Sequence, residues 1–201
     1  MKHTNQGGSS STPTHFYVDN AAYFITAATY RHQRLLDDAL KGRLRDLFHQ
    51  VYAEFGWQLQ HWVILDDHYH LLANSRNGRD LPRIMGKVHS LSAQLINQHH
   101  PPETREHSQV WCNYWDYCPR DEREYNIRLC YLLYNPIKHG YVERLGDWRW
   151  SSFAALLAAQ TEEALRGMFR EHREYRGLVL EEDAQALEYS GVQGLTCTKD
   201  D

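Results

Sequence analysis

Two histidines one residue apart, His68 and His70, lie in the run WVILDDHYHLLAN at residues 62–74. In an extended strand, residues i and i+2 point to the same side, so the two imidazoles project together while Tyr69 faces away. Imidazole nitrogens aimed at one region are a common start of a divalent-metal site. The plainer alternative is a pair of polar side chains on an open sheet face. About sixty residues later, YLLYNPIKHG (131–140) places Tyr131 and Asn135 four apart, on one face of a helix. If the Asn135 carbonyl oxygen joins His68 and His70 around a cation, the neighbouring Tyr131 hydroxyl becomes a candidate nucleophile toward a phosphodiester. Taken alone, the same segment reads as a packed helix that Asn135 caps and Pro136 stops.

The elements that must position these groups follow from periodicity. AAYFITAATY (21–30) is β-branched and aromatic, a strand. Leu40, Leu44, Leu47, Phe48 and Val51 recur at three-to-four spacing, predicting an amphipathic helix over 36–55 that ends near Gly56. WQLQHWVIL (57–65) and HYHLLAN (68–74) form a hairpin joined at Asp66-Asp67. Leu81, Ile84, Val88, Leu91 and Leu95 mark a second helix over 80–99, and QVWCNYWDYC (109–118) a fourth strand. A third helix runs from Asp121 to Tyr134. The order predicts an α+β fold, a ferredoxin-like βαββαβ antiparallel sheet with an additional nucleophile-bearing helix and a C-terminal helical extension. The first two helices cover one sheet face and leave the other for a partner or for the third helix. Fold alone assigns no chemistry.

Composition sets bounds without naming a function. The chain has 201 residues, 42% of them hydrophobic, enough for one domain with a sizeable core. No apolar run approaches the roughly 20 residues of a membrane helix, and the polar start has no signal-peptide core, which points to the cytoplasm. The net charge of −4 hides a split. Residues 1–153 hold 17 Lys+Arg against 16 Asp+Glu, and residues 154–201 hold 5 against 10. The chain divides accordingly into a polar leader (1–15), a main domain (16–153) and an acidic, helical extension (154–201). Cys112, Cys118, Cys130 and Cys197 have no CxxC pairing and read as reduced, packing thiols.

Five segments carry a resemblance. YFITAATYRHQRLL (23–36), HWVILDDHYHLLAN (61–74), KVHSLSAQLINQ (87–98), VWCNYWDYCPRDEREYNIRLCYLLYNPIKHGYV (110–142) and DWRWSSF (147–153) run in order over about two-thirds of the chain. Together they resemble the single-tyrosine HUH transposases, in the REP-associated tyrosine transposase branch. The resemblance implies that His68, His70 and Asn135 bind a divalent metal, Mg²⁺ or Mn²⁺, and that Tyr131 attacks single-stranded DNA. It further implies cleavage and rejoining of hairpin-forming repeat DNA through a 5′-phosphotyrosine, by a monomer or a homodimer. Phosphate contacts would come from Arg83, Lys87, Arg120, Arg123, Lys138 and Arg149, and base stacking from Trp111, Trp115, Trp148 and Trp150. Where family members commonly carry Pro-Asn before the first histidine, this chain has Asp66-Asp67. Those carboxylates are open to three roles: a hairpin turn, a shell that tunes the histidines, or a metal ligand. Two other readings stay open, a hairpin-binding protein without cleavage and a metallohydrolase using the histidines with Asp66 or Asp67.

Overall fold

The computed structural model describes residues 17–180. The leader (1–15), the end of the extension (181–201) and Cys197 lie outside the described residues. Four strands, β1 (Ala22–Ala28), β2 (Gln58–Ile64), β3 (His68–Asn74) and β4 (Trp115–Tyr117), form one antiparallel sheet in the order β2-β3-β1-β4. The histidine strand is therefore internal. Helices α1 (Asp38–Glu54) and α2 (Leu81–His99) cover one face, and α3 (Glu122–Lys138) lies against the other.

Period-two alternation sends each strand's side chains to two different cores. Tyr23, Ile25 and Ala27 of β1 join Tyr69, Leu71 and Ala73 of β3 beneath α1 and α2. Phe24 and Leu72 face α3 in a second cluster with Leu129, Tyr131, Leu132 and Leu133. The β1–β3 register sets Ala28 opposite His68 and Thr26 opposite His70. Helix starts are capped as their sequences require: Asp37 Oδ1 accepts the Leu40 N–H at 2.9 Å, and Asp121 Oδ1 the Glu124 N–H at 2.8 Å. Helices α4 (Phe153–Ala159) and α5 (Glu162–Glu171), with a 3₁₀ turn at Arg173–Gly177, bring Leu156, Leu165 and Tyr175 into the α3 core. This part of the extension thus packs onto α3.

Two elements differ from the sequence reading. The fourth strand shrinks to three residues, because Trp111 is drawn out of register into the α2 core. There its Nε1–H donates to Ser92 Oγ at 2.9 Å and its ring stacks on His89, leaving a lone bridge between Thr29 and Trp111. The third helix runs through Pro136 to Lys138. A proline costs an interior helix one N–H bond and crowds the carbonyl four residues back. Burial of Leu132, Leu133, Asn135 and Pro136 offsets that, and just past the helix end Gly140 has a φ of +71° that suits glycine. Asn135 is consequently an interior residue and not a cap.

Burial of His89 carries a pH consequence. Its Nε2 lies 2.8 Å from the Tyr69 hydroxyl, and burial pushes its pKa down to about 4. Between about pH 6.5 and 4 the unfolded chain takes up a proton that the folded ring refuses, so stability falls as pH falls through that window. Up to about 3 kcal/mol is expected from this group, read as a lower urea midpoint at pH 4.5 than at pH 7. His89→Gln should flatten that acid limb; an unchanged limb would contradict the assignment.

Candidate active site

The site forms where the start of β3 meets the last two turns of α3. His68 and His70 both face α3 and are buried, at 4% and 0% exposure, as are Tyr131 (1%) and Asn135 (0%). The His68 and His70 ring centroids are 5.2 Å apart, and His70 meets the edge of Tyr131 at 5.3 Å. Phe24, across the sheet on β1, stacks on His70 at 5.5 Å and meets Tyr131 at 6.2 Å. His68 Nε2 lies 2.9 Å from Asn135 Oδ1. All four residues singled out for metal binding and nucleophilic attack therefore converge on one point between sheet and helix.

The β2–β3 turn explains how His68 is held. Its backbone is anchored: Leu65 N–H donates to the His68 carbonyl, Leu36 N–H to that of Asp66, and Thr29 N–H to that of Asp67. The two aspartate side chains then diverge. Asp66 turns to the buried Lys41 and to Arg34. Asp67 Oδ1 accepts from His68 Nδ1 at 2.6 Å, and its Oδ2 from His32 Nδ1 at 3.0 Å. Burial raises the Asp67 carboxyl, but these hydrogen bonds and the two imidazoles overcome it and hold the acid well below the usual carboxylate range. Both residues make the turn between β2 and β3; Asp67 adds the orienting contact to a histidine, and Asp66 an ion pair with Lys41 and Arg34 that was not among the three roles left open for this pair.

That contact fixes the chemistry of the other ring nitrogen. An ionised carboxylate only accepts, so His68 Nδ1 carries a proton toward Asp67 and leaves Nε2 facing the Asn135 side-chain amide. Three arrangements satisfy that contact: a proton on Nε2, the amide turned over so that Nδ2 donates to the ring, or a metal ion taking Nε2 and the amide oxygen together. Asn135 Nδ2 is buried with no hydrogen-bond partner among the described residues. A carboxylate–imidazole–metal arrangement has this donor set, and the residues present fit a divalent ion. Donor atoms of His32, Asp67 and His68 also lie within 4.8 Å of one another, an overlapping group that could hold a metal. Burial depresses the His70 pKa far below its ordinary value, reinforced by His68, His139 and Lys138, so that ring is kept neutral and ligand-ready.

Three residues of the site lay outside the sequence assignment or entered it in another role. Lys138, one of the candidate phosphate contacts, donates from Nζ to the Tyr131 hydroxyl at 2.9 Å and sits 4.7 Å from its ring centre. His139 packs its ring on His68 at 4.8 Å. His32 follows Arg31, and both have φ near +53°, a left-handed pair that turns His32 back toward Asp67. The signal for Lys138 was present, since residues seven apart share a helix face, but it was hidden by the expected stop at Pro136.

The remaining candidate contacts are dispersed. Arg83 and Lys87 lie on α2, on the other side of the sheet, paired with Asp80 and Glu54. Arg120 pairs with Glu124, Arg123 with Glu174, and Arg149 lies over the Trp150 ring. Trp111 and Trp150 are buried core residues, and Trp148 donates to the Ile64 carbonyl while Lys41 covers its ring. Trp115 is half-buried on β4.

Residues 17–129 match the family described as Transposase IS200 like. A Haemophilus influenzae protein named for the REP-associated tyrosine transposases is 30% identical over 154 residues, which span 68% of this chain and 82% of that protein. The chain belongs to the REP-associated tyrosine transposases. An Escherichia coli protein of that name is 23% identical over 142 residues, 69% of this chain and 79% of its own. The solved structure of a REP-associated tyrosine transposase bound to a REP hairpin shares the fold, with a TM-score of 0.61 at 22% identity over 74% of this chain and 86% of that one. The family match spans His68 and His70 and ends two residues before Tyr131. Transposase function follows from membership; which side chains carry it is a question of geometry. No helix among the described residues is long and apolar enough to cross a membrane.

Proposed function

We propose that this transposase cleaves and rejoins single-stranded DNA at hairpin-forming, REP-like repeats, with Tyr131 as nucleophile and His68, His70 and Asn135 as ligands of a divalent metal, Mg²⁺ or Mn²⁺. The observation that carries this reading is Tyr131 packed against buried His70, in one cluster with His68 and the Asn135 amide oxygen, with the Lys138 ammonium 2.9 Å from its hydroxyl. When bound, the metal would polarise the scissile phosphate and offset charge on its oxygens. Tyr131 Oη attacks phosphorus as the bond to the 3′ oxygen breaks; the phenol proton passes to water and the departing 3′ oxygen takes one up from water, leaving a 5′-phosphotyrosine and a free 3′-hydroxyl with no net change in protons. Attack by a 3′-hydroxyl on the phosphotyrosine reverses the exchange, so rejoining needs no external energy source. Lys138, exposed to solvent, stabilises the phenolate as it forms and adds positive charge where a phosphate approaches.

The test is capture of a labelled single-stranded hairpin as a covalent protein adduct in the presence of Mn²⁺ or Mg²⁺. A hairpin-binding protein without cleavage gives a complex but no adduct. A metallohydrolase using Asp66 or Asp67 gives cleavage that survives loss of the tyrosine. The first is disfavoured by the intact donor set, and the second by Asp67 being occupied with His32 and His68.

Asp67 offers a graded check. Asp67→Asn keeps an oxygen for His68 Nδ1 but removes the charge that makes the ring a better donor. Mn²⁺ affinity is expected to fall about 10–100-fold, measured by metal titration of the free protein. Unchanged affinity would remove Asp67 from the metal site's support.

A further inference from the structure

The start of α1 and the end of α2 bring together a second group of donors that the DNA chemistry does not use. Asp37, His99 and His100 each offer a ligand atom, all within 4.8 Å of one another. His99 Nε2 lies 2.6 Å from Asp37 Oδ2, and the His99 and His100 rings meet edge to face at 4.7 Å. The carboxylate is divided between two tasks: Oδ1 caps α1 through the Leu40 N–H, which leaves Oδ2 for a cation. Its position is thereby set before any ligand arrives. His100 is held too, because its N–H donates to the Ile96 carbonyl at 2.7 Å and Pro101-Pro102 follow at once. The side chains of His99 and Asp37 are 44% and 45% exposed, so an ion can enter from solvent and water can complete its coordination.

We propose that Asp37, His99 and His100 form a separate binding site for a divalent cation of the zinc class, clamping the start of α1 to the end of α2. Two imidazoles and one carboxylate suit Zn²⁺, with an open position for water. This donor set is distinct in composition from the His68, His70 and Asn135 set, whose third donor is an amide oxygen. Binding would displace the proton of the His99–Asp37 hydrogen bond, so metal uptake releases acid. The clamp also reaches the active-site turn, because the segment leading to Asp37 is tied to it: Leu36 N–H donates to the Asp66 carbonyl and Arg34 Nε to the Asp66 carboxylate.

The experiment uses the full chain with Zn²⁺ alone, in equilibrium dialysis with metal counting. His68→Ala/His70→Ala is the background that silences the active-site donors. This variant is expected to retain one tightly bound zinc per chain, and adding His99→Gln should remove it. Zn²⁺ at about one hundred times its dissociation constant should raise the Tm of the background variant by about 5–10 °C, and the rise should vanish with His99→Gln. Asp37→Asn keeps an oxygen for the helix cap and should weaken zinc binding at least about tenfold. If the background variant does not fold, the wild type serves, its zinc count dropping by one on His99→Gln. No zinc in the background variant, or a count indifferent to His99→Gln and Asp37→Asn, would overturn the site. Adduct formation on hairpin DNA with Mn²⁺ is scored separately, so loss of one reading leaves the other standing.

Discussion

Tyr131→Phe is expected to abolish covalent capture of single-stranded hairpin DNA while the fold survives. The side chain is 1% exposed and packed against His70 and Phe24, contacts that phenylalanine reproduces ring for ring. The loss includes the hydroxyl's hydrogen bond from Lys138, worth about 1 kcal/mol, since the exposed ammonium can turn to water. A small shift in urea midpoint should therefore accompany loss of the adduct by more than about a thousandfold, the scale expected when a covalent nucleophile is removed. Hairpin binding in a mobility-shift assay should persist. An adduct of undiminished yield in the variant would mean that another side chain attacks, and the reading built on Tyr131 would fall.

His68→Ala/His70→Ala attacks the same chemistry from the metal side. Both rings are buried, so the variant loses packing against Phe24 and Asn135 as well as two donors, and a stability cost of about 2–4 kcal/mol is expected. Cleavage should drop by at least about a hundredfold and cease to respond to added Mn²⁺. The discriminating readout is metal binding itself: the calorimetric signal for Mn²⁺ at the active site should disappear while the hairpin still binds. Metal-stimulated cleavage surviving in the folded double variant would remove the histidines from the mechanism.

Much of this site could be read from residue spacing because two of its relations are local. The i, i+2 rule placed His68 and His70 on one face of a strand, and the i, i+4 rule placed Tyr131 and Asn135 on one face of a helix. Whether the two pairs meet depends on α3 lying over the sheet face opposite α1 and α2, which local periodicity leaves open. His32 was invisible for a related reason. It reaches Asp67 from 35 residues away through a left-handed turn that no period announces. The dispersal of Arg83 and Lys87 was in principle available, since helices expected to cover one face carry their exposed charges away from the other. Trp111 shows the converse: an aromatic run looks like strand throughout, yet one ring's pocket in the α2 core overrides the ladder.

The proline inside α3 has a mechanical consequence. Pro136 has no N–H to give the Leu132 carbonyl, so the ladder of backbone bonds is interrupted between the turn bearing Tyr131 and Asn135 and the one bearing Lys138 and His139. The terminal segment is tied back through other bonds, His139 N–H to the Asn135 carbonyl and Tyr141 N–H to that of Pro136. With one rung missing, this segment is expected to open before the turn upstream. In hydrogen–deuterium exchange the amides of 138–141 should open well before those of 129–133, and Pro136→Ala should slow them by restoring the missing rung. The nucleophile would then sit on the more protected turn, and the ammonium beside it on the one that exchanges first.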